Sequence, residues 1–317
     1  MLDQTLRGIG AHGSGRLLKI SDLTVDECLK RLSTSGLTIR TGPFLYTIRT
    51  DLPEIASFMG QVYAESPVAD HPVFSDFHVA VHTCRRFLQP WLRLVHVSAG
   101  GIPLFGPFPR QETLAYLEWG MNGCISRDAN HLLLFHAASL ERDGRGVLFL
   151  GKSGAGKSTL AAALALRGWR LLSDEFGLVA LDSSRLVPLA RPICLKNEAI
   201  QLIRELDPGA VTTTPADVRR KGLLCHLAPP RESVRRMDEP ATPSALVFIN
   251  YQPDAESRLE AIPKTQAMSR AIESSFNYKE LGRAGFECMA RLVESCGCYD
   301  LSYGNLEGAG RVMEGAL

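Results

Sequence analysis

Residues 147–168 read VLFLGKSGAGKSTLAAALALRG, and the fold turns on how this stretch is understood. Gly151, Gly156, Lys157 and Ser158 satisfy the pattern G-x-x-x-x-G-K-[ST] at every specified position. Glycine lets a backbone curl so that successive N–H groups point inward at phosphate oxygens. The helix that follows adds its positive N-terminal end. On this reading Ser153, Gly154 and Ala155 complete the cradle and Lys157 reaches the β and γ phosphates. The Ser158 hydroxyl helps hold Mg²⁺, and Thr159 opens the helix beside it. A short pattern needs context, and the flanks supply it. VLFL suits a buried strand, and KSTLAAALALRG suits a helix rich in Ala and Leu that stops at Gly168. The expectation is a nucleotide-phosphate site on a strand–loop–helix unit; the alternative is a glycine-rich turn without a ligand.

Immediately downstream, GWRLLSDEFGLVAL (168–181) reads as a strand, a break at Ser173-Asp174-Glu175 and a second strand. A carboxylate at a strand end beside such a loop is the usual second hand on Mg²⁺. Two acids at a hairpin tip are otherwise ordinary solvated turn residues. Because these follow the loop helix directly, the strand is expected to return beside the loop strand, which favours a functional pair. One acid would polarise a hydroxyl as base while the other orients the metal or its water.

The rest of the chain sets bounds. Its 317 residues are about twice a usual domain, so one large or two modest domains are expected. A hydrophobic content of 45% supports a core, and the formal charge of +1 gives no global pull toward nucleic acid or an anionic membrane. No run of about 18 apolar residues occurs, and the start lacks a secretory segment, so a soluble cytoplasmic protein is expected. Of eight cysteines, only Cys296 and Cys298 are close together, and no histidine follows His226; reduced, partly buried thiols are expected rather than a zinc site.

Residues 1–16 are glycine-rich and read as a flexible N-terminus. Residues 21–32 suggest a helix with Ser21 or Asp22 as N-cap. Residues 37–50 suggest two strands about Gly42-Pro43, a helix follows near 52–64, and 74–83 and 91–99 alternate as strands. This makes residues 17–110 a smaller α+β lobe, for substrate recognition or for structure. GGIPLFGPFPRQ (100–111), with three prolines and three glycines, reads as a linker or ordered loop. A helix over 112–125, strands over 131–141 and 146–153, and the loop unit then open a catalytic domain over 111–317. Toward the end, ALVFINY (245–251) and CYDLSYG (298–304) read as strands, with helices before and after the second.

At this point the chain resembles the catalytic domain of HPr serine kinase/phosphorylase, and more closely the group of HPr-kinase-related kinases. Three features carry the resemblance: His136 in LLFHAASLE, the stretch GKSGAGKSTLAAALALRGWRLLSDE, and its R-L-x-x-acid-acid ending. The specific match covers about residues 131–182. Weaker similarity in FSDFHV, LEWGMN, HLAPPRESV and the GF…CYDLSYG tail extends over most of the chain. The resemblance implies an α/β fold of the P-loop HPr-kinase/PEP-carboxykinase-like type, with a mixed sheet. It also implies ATP with Mg²⁺, His136 near the phosphates, Asp174 as base toward a serine hydroxyl, and Ser158 as metal ligand. Glu175 stands where the family has a second Asp and joins the metal set. Taken by itself, a single His in an apolar strand is a satisfied core residue.

Departures bear on the substrate. The family's E-I-R-G segment has its counterpart in ICLKN (193–197), which lacks the acid but carries Lys196. The family's C-terminal signature has no match in 240–317, which puts phosphorylase activity and HPr itself as acceptor in doubt. Some relatives are associated with ribosomally made peptides, so a small protein or precursor peptide is the expected acceptor. HPr kinases are oligomeric, which admits a homo-oligomer.

Residues 217–236, DVRRKGLLCHLAPPRESVRR, hold six Lys/Arg against two acids. They read either as a solvated loop or as a flap. A flap would bring Lys221, His226, Arg231, Arg235 or Arg236, with Lys196, onto the transferring phosphoryl or an acidic acceptor. Without interleaved aromatics this is no nucleic-acid surface. The expectation is an ATP-dependent, Mg²⁺-assisted serine-type kinase. The alternative is a nucleotide-dependent ATPase or regulatory binding module that transfers phosphate to no acceptor. No L-S-G-G-Q or N-K-x-D segment supports a transport or GTPase protein.

Overall fold

The computed structural model describes residues 18–86, 89–219 and 221–316; the expected flexible segment 1–16 lies outside them. The chain divides into two compact units, one of residues 1–127 with 211–228 and one of 128–210 with 229–317. The division thus falls at 127/128 rather than near residue 110.

In the first unit, α1 (Val25–Ser33) starts at Thr24, whose hydroxyl accepts the Glu27 N–H while the Glu27 carboxylate accepts the Thr24 N–H. This capping box, worth about 1 kcal/mol, starts the helix after Ser21 and Asp22, which sit in a preceding 3-10 turn. A five-stranded sheet follows in spatial order β1 (Leu37–Thr41), β2 (Phe44–Thr50), β3 (Phe77–Arg86), β4 (Gln89–Ala99) and β5 (Ile102–Pro109). Its pairs are antiparallel except β2–β3, and α2 (Pro53–Val62) connects β2 to β3. The proline-rich stretch read as a linker is the strand β5. It lies at the sheet edge, where a residue without an N–H costs no ladder bond. The next helix, α3 (Thr113–Asp128), packs on this sheet. A side chain at Gly120 would clash with Val97, and the Tyr46 hydroxyl donates to the Met121 carbonyl at 3.1 Å. Leu117, Met121 and Ile125 are fully buried, at about 1.5–3 kcal/mol each. That packing moves the boundary past residue 110.

The second unit begins with β6 (Leu132–Arg142) and β7 (Arg145–Leu150), then α4 (Lys157–Leu166), β8 (Arg170–Ser173), β9 (Phe176–Ala180), β10 (Leu186–Val187), β11 (Ile193–Lys196) and α5 (Glu198–Leu206). Helix α4 ends as expected at Gly168, at φ +90°. Gly168 N–H bonds to Ala165 O, and Trp169 N–H reaches back to Leu164 O.

The hairpin β12 (Ala216–Val218) and β13 (Gly222–Leu227) returns to the first unit, where the His226 ring meets Phe58 edge-on at 5.4 Å. The second unit resumes with α6 (Arg231–Arg235), β14 (Thr242–Tyr251), β15 (Arg258–Ala261), α7 (Lys264–Glu273), α8 (Tyr278–Ser295), β16 (Gly297–Tyr303) and α9 (Leu306–Ala316). The basic stretch 217–236 is divided between the two units.

The large sheet of the second unit is mixed, in the order β10-β9-β6-β7-β14-β16-β15, with β8 also pairing β6. β7, β14 and β16 are parallel; β6 is antiparallel to β7, β8 and β9. One face, with Leu148, Leu150 and Phe248, packs on Ala267 and Ala271 of α7 and on Met289 and Leu292 of α8. Val147 and Phe149, which alternate with Leu148 and Leu150, are buried as well, so this sheet is covered on both faces. Cys296 and Cys298 are buried thiols, and burial pushes both above the usual range. Among the described residues no helix is long and apolar enough to cross a membrane.

One expectation about the sheet fails in an instructive way. β8 does not return beside β7; it pairs with β6, one strand further out. β6 is long enough to hold β8 and β9 end to end, with Ser139 opposite Ser173 and His136 opposite Phe176. The break at Asp174-Glu175 therefore faces Ala137–Ala138, and Ala137 in turn faces Leu150, the last residue before the glycine loop. The acids reach the level of the loop across β6 rather than from an adjacent strand.

Candidate functional site

The loop Gly151–Gly156 leaves β7 and runs directly into α4. Gly156, the N-cap, is at φ +92°, and a Cβ there would come within 2.4 Å of the Tyr303 hydroxyl. Only glycine meets both conditions. The Tyr303 hydroxyl also donates to the Gly156 carbonyl, at 3.4 Å. Lys157 is buried, and its ammonium donates to the carbonyls of Gly151 (2.7 Å) and Lys152 (3.1 Å), bridging the loop from within. Ser153 and Gly154 are exposed, and Ala155, Ser158 and Thr159 are half-buried.

Asp174 and Glu175 stand at the end of β8, Glu175 in the left-handed region at φ +68°. A non-glycine residue held there is strained, and such strain collects at functional sites. Both carboxylate oxygens of Asp174 are sealed from solvent without a partner in hydrogen-bond geometry. The Ser158 hydroxyl and the backbone of Glu175 and Cys194 lie close enough to favour the anion, but none completes a bond. Isolated buried atoms without partners occur elsewhere, such as Ser139 Oγ and Trp169 Nε1. Among the described residues, Asp174 is the carboxylate with both oxygens so placed. Burial, and next the negative charge of Glu175, push its pKa up to about 7.

Three basic groups complete the cluster. Burial lowers the Lys157 ammonium and the charge of Lys196 adds to this, against the pull of Asp174 and Glu175. His136 lies opposite Phe176 in the ladder and edge-on to Phe276 at 5.8 Å. Burial, followed by the charges of Lys157 and Lys196, lowers its pKa to about 4, so the imidazole is neutral near pH 7. β11 supplies the backbone of Cys194 toward Asp174 and ends at Lys196, followed by Asn197 at φ +50°.

The structure thus brings together Lys157, Ser158, Asp174, Glu175, His136 and Lys196. Lys221 and His226 belong to the hairpin of the first unit, and His226 is buried. Arg236 pairs with Glu239 at 2.7 Å and stands 3.6 Å from Glu141, while Arg231 and Arg235 are carried by the short α6. Sequence reasoning missed Tyr303 and the Cys194 backbone. The first reads as one more residue of an apolar strand, and a main-chain group leaves no residue-type signal.

Buried, hard oxygen ligands suit a hard divalent cation. The unpartnered Asp174 carboxylate beside the Ser158 hydroxyl fits Mg²⁺, and Glu175 is adjacent.

A model of the family described as SynChlorMet cassette protein ScmC matches residues 118–187. That segment holds His136, the glycine loop and both acids, and it is less than half of the chain. The Hpr(Ser) kinase/phosphatase from Coxiella burnetii is similar at 14% identity over 58% of this chain and 95% of that one, with a TM-score of 0.25. At that score the likeness carries no weight for fold or activity. No curated protein matches the chain.

Proposed function

We propose that this chain is an ATP-dependent, Mg²⁺-assisted kinase that transfers the γ-phosphoryl group to a serine-type hydroxyl of a small protein or peptide. The observation that carries the reading is the Asp174 carboxylate, buried with both oxygens unpartnered, next to Ser158 and level with the glycine loop. A fold gains nothing from such a group without a ligand, because desolvation of an unpaired carboxylate costs stability.

The phosphates lie along the loop N–H groups at the start of α4, and Lys157 exchanges its carbonyl contacts for the β and γ oxygens. Ser158, with the carboxylates of Asp174 and Glu175, would hold Mg²⁺, which when bound neutralises charge on the transferring group. Asp174 takes the proton of the acceptor hydroxyl as the new oxygen–phosphorus bond forms; the bond to the β-phosphate oxygen breaks, and ADP leaves. Neutral His136 donates a hydrogen bond without adding a charge, and Lys196 adds a second cation near Lys157. The matching family is described as a cassette protein, so the genes neighbouring this chain are where an acceptor is to be sought.

The test is incubation with γ-labelled ATP, Mg²⁺ and candidate peptides, for the wild type and Asp174→Ala. The expected result is labelled peptide from the wild type and none from the variant. Label released only as inorganic phosphate, equally by both proteins, would favour an ATPase or regulatory module instead.

A further inference from the structure

The loop strand β7 has two dissimilar flanks. On one side lies β6, with Asp174, Glu175 and His136 at its ladder. On the other side β14 and β16 run parallel to β7 and end level with each other at Tyr251 and Tyr303. Ligands of sheets with parallel strands bind beyond the carboxyl ends of those strands. Beyond these two ends lies a cavity of about 570 Å³, within the range of small-molecule sites. None of Lys157, Asp174 or His136 lines it; Gly154, Gly156, Thr159 and Lys196 do.

That lining sets a direction. The lysine of this loop pattern attends the β and γ phosphates, so the phosphate chain has its outer end near Lys157 and Asp174. Its inner end then points to Thr159 and into the cavity. The walls suit a flat ring with polar edges. Tyr251 is 46% exposed and Leu202 also 46%, two of the chain's exposed large hydrophobic side chains, and both open on this cavity. The Tyr251 and Tyr303 rings are 5.5 Å apart. Glu198 supplies a carboxylate acceptor at the rim. Asn305 has its amide oxygen engaged by the Gly308 N–H at 2.7 Å, which leaves its amide nitrogen to donate. An acceptor and a donor beside an aromatic platform match the edge and face of a purine.

We propose that this cavity seats the purine nucleoside of the nucleotide, with the base stacked on Tyr251. The assignment rests on the reading of the Gly151–Gly156 loop as the phosphate cradle, and it names the residues that would make the protein select a nucleotide over a bare polyphosphate.

Isothermal titration with ATP, UTP and inorganic tripolyphosphate, each with Mg²⁺, tests it on the full chain. The wild type is expected to bind ATP more tightly than UTP and both more tightly than tripolyphosphate. Loss of one base–aromatic stack lowers affinity by about tenfold or more, so Tyr251→Ala should weaken ATP by that factor and leave tripolyphosphate unchanged. Tyr251→Phe should keep the wild-type affinity. Leu202→Arg, also at an exposed position, should show the same selective loss by filling the space. Equal affinity of the wild type for ATP and tripolyphosphate would overturn the proposal. So would a Tyr251→Ala variant with unchanged ATP affinity, or one that weakens both ligands alike. If ATP binding survives Tyr251→Ala and Leu202→Arg but is lost in Lys157→Ala, the phosphate cradle stands and the nucleoside seat falls. If the wild type binds neither ligand, the cradle itself has been misread.

Discussion

Two carboxylates on the same three-strand ladder are treated in opposite ways. Glu141, near the end of β6, faces Arg170 in register and forms a buried ion pair with it. Arg170 also donates to the carbonyls of Arg236, at 2.7 Å, and Glu239. Asp174, at the other end of β8, has neither a cation at bonding distance nor a completed hydrogen bond for either oxygen. Both groups are desolvated, so burial alone does not distinguish them. Partnering does: the first carboxylate is spent on holding β6 to β8, and the second is kept for something that arrives from outside. A perturbed acid in a cleft marks function only when its structural partners are missing.

The largest expected effect is on phosphoryl transfer. Asp174→Asn, nearly isosteric, should lower labelled-peptide formation by roughly 10²–10⁴-fold while the melting temperature stays level or rises. A variant that melts earlier and still transfers phosphate would make Asp174 another Glu141. Arg170→Ala should do the reverse. Glu141 would keep only Arg236, at 3.6 Å, and the loss should cost up to about 3–5 kcal/mol in denaturant unfolding, with the transfer rate per folded molecule retained. A folded, fully stable Arg170→Ala protein would break the comparison from the other side.

The same comparison has a pH signature in stability. The Asp174 carboxyl in the folded chain holds its proton up to about pH 7, above its unfolded value of 3.8. The folded state therefore binds the extra proton in that window, and stability falls as pH rises from about 4 through about 7. His136 has the opposite sign. Its folded pKa near 4 lies below the unfolded 6.5, so its contribution is present above about pH 6.5 and is lost as pH falls toward 4. In the wild type the two slopes oppose each other. Melting curves taken between pH 4 and pH 7 should separate them: Asp174→Asn should gain stability as pH rises to about 6.5, and His136→Gln should lose it up to about 7. Identical pH profiles for all three proteins would mean that neither group is desolvated as described.

Local features were legible in the sequence where neighbouring residues decide the outcome. The strand, loop and helix around Gly151–Lys157 form as expected, and α4 stops where Gly168 can adopt its left-handed turn. The hairpin of β1 and β2 about Gly42-Pro43 forms likewise. Choices between distant partners were not legible. Nothing in the apolar run of β6 states that it, rather than β7, will pair with β8, so the nearness of Asp174 to the loop was expected for the wrong geometric reason. The strand β5 was obscured by its prolines, which are compatible with an edge but not with an interior position. Thr24 outcompetes Ser21 and Asp22 as cap because only Thr24 has Glu27 three residues on. Tyr251 and Tyr303 looked like ordinary strand ends, since an aromatic residue declares a binding role only when the space beside it is known.

The return of residues 211–228 to the first unit limits how the chain can be cut into fragments. The chain crosses between the units three times, after residues 127, 210 and 228. No single cut in the chain yields two pieces that each carry a whole unit. A fragment starting at residue 128 would still contain β12 and β13, with Leu224, Cys225 and Leu227, buried in the intact chain, deprived of the unit they belong to.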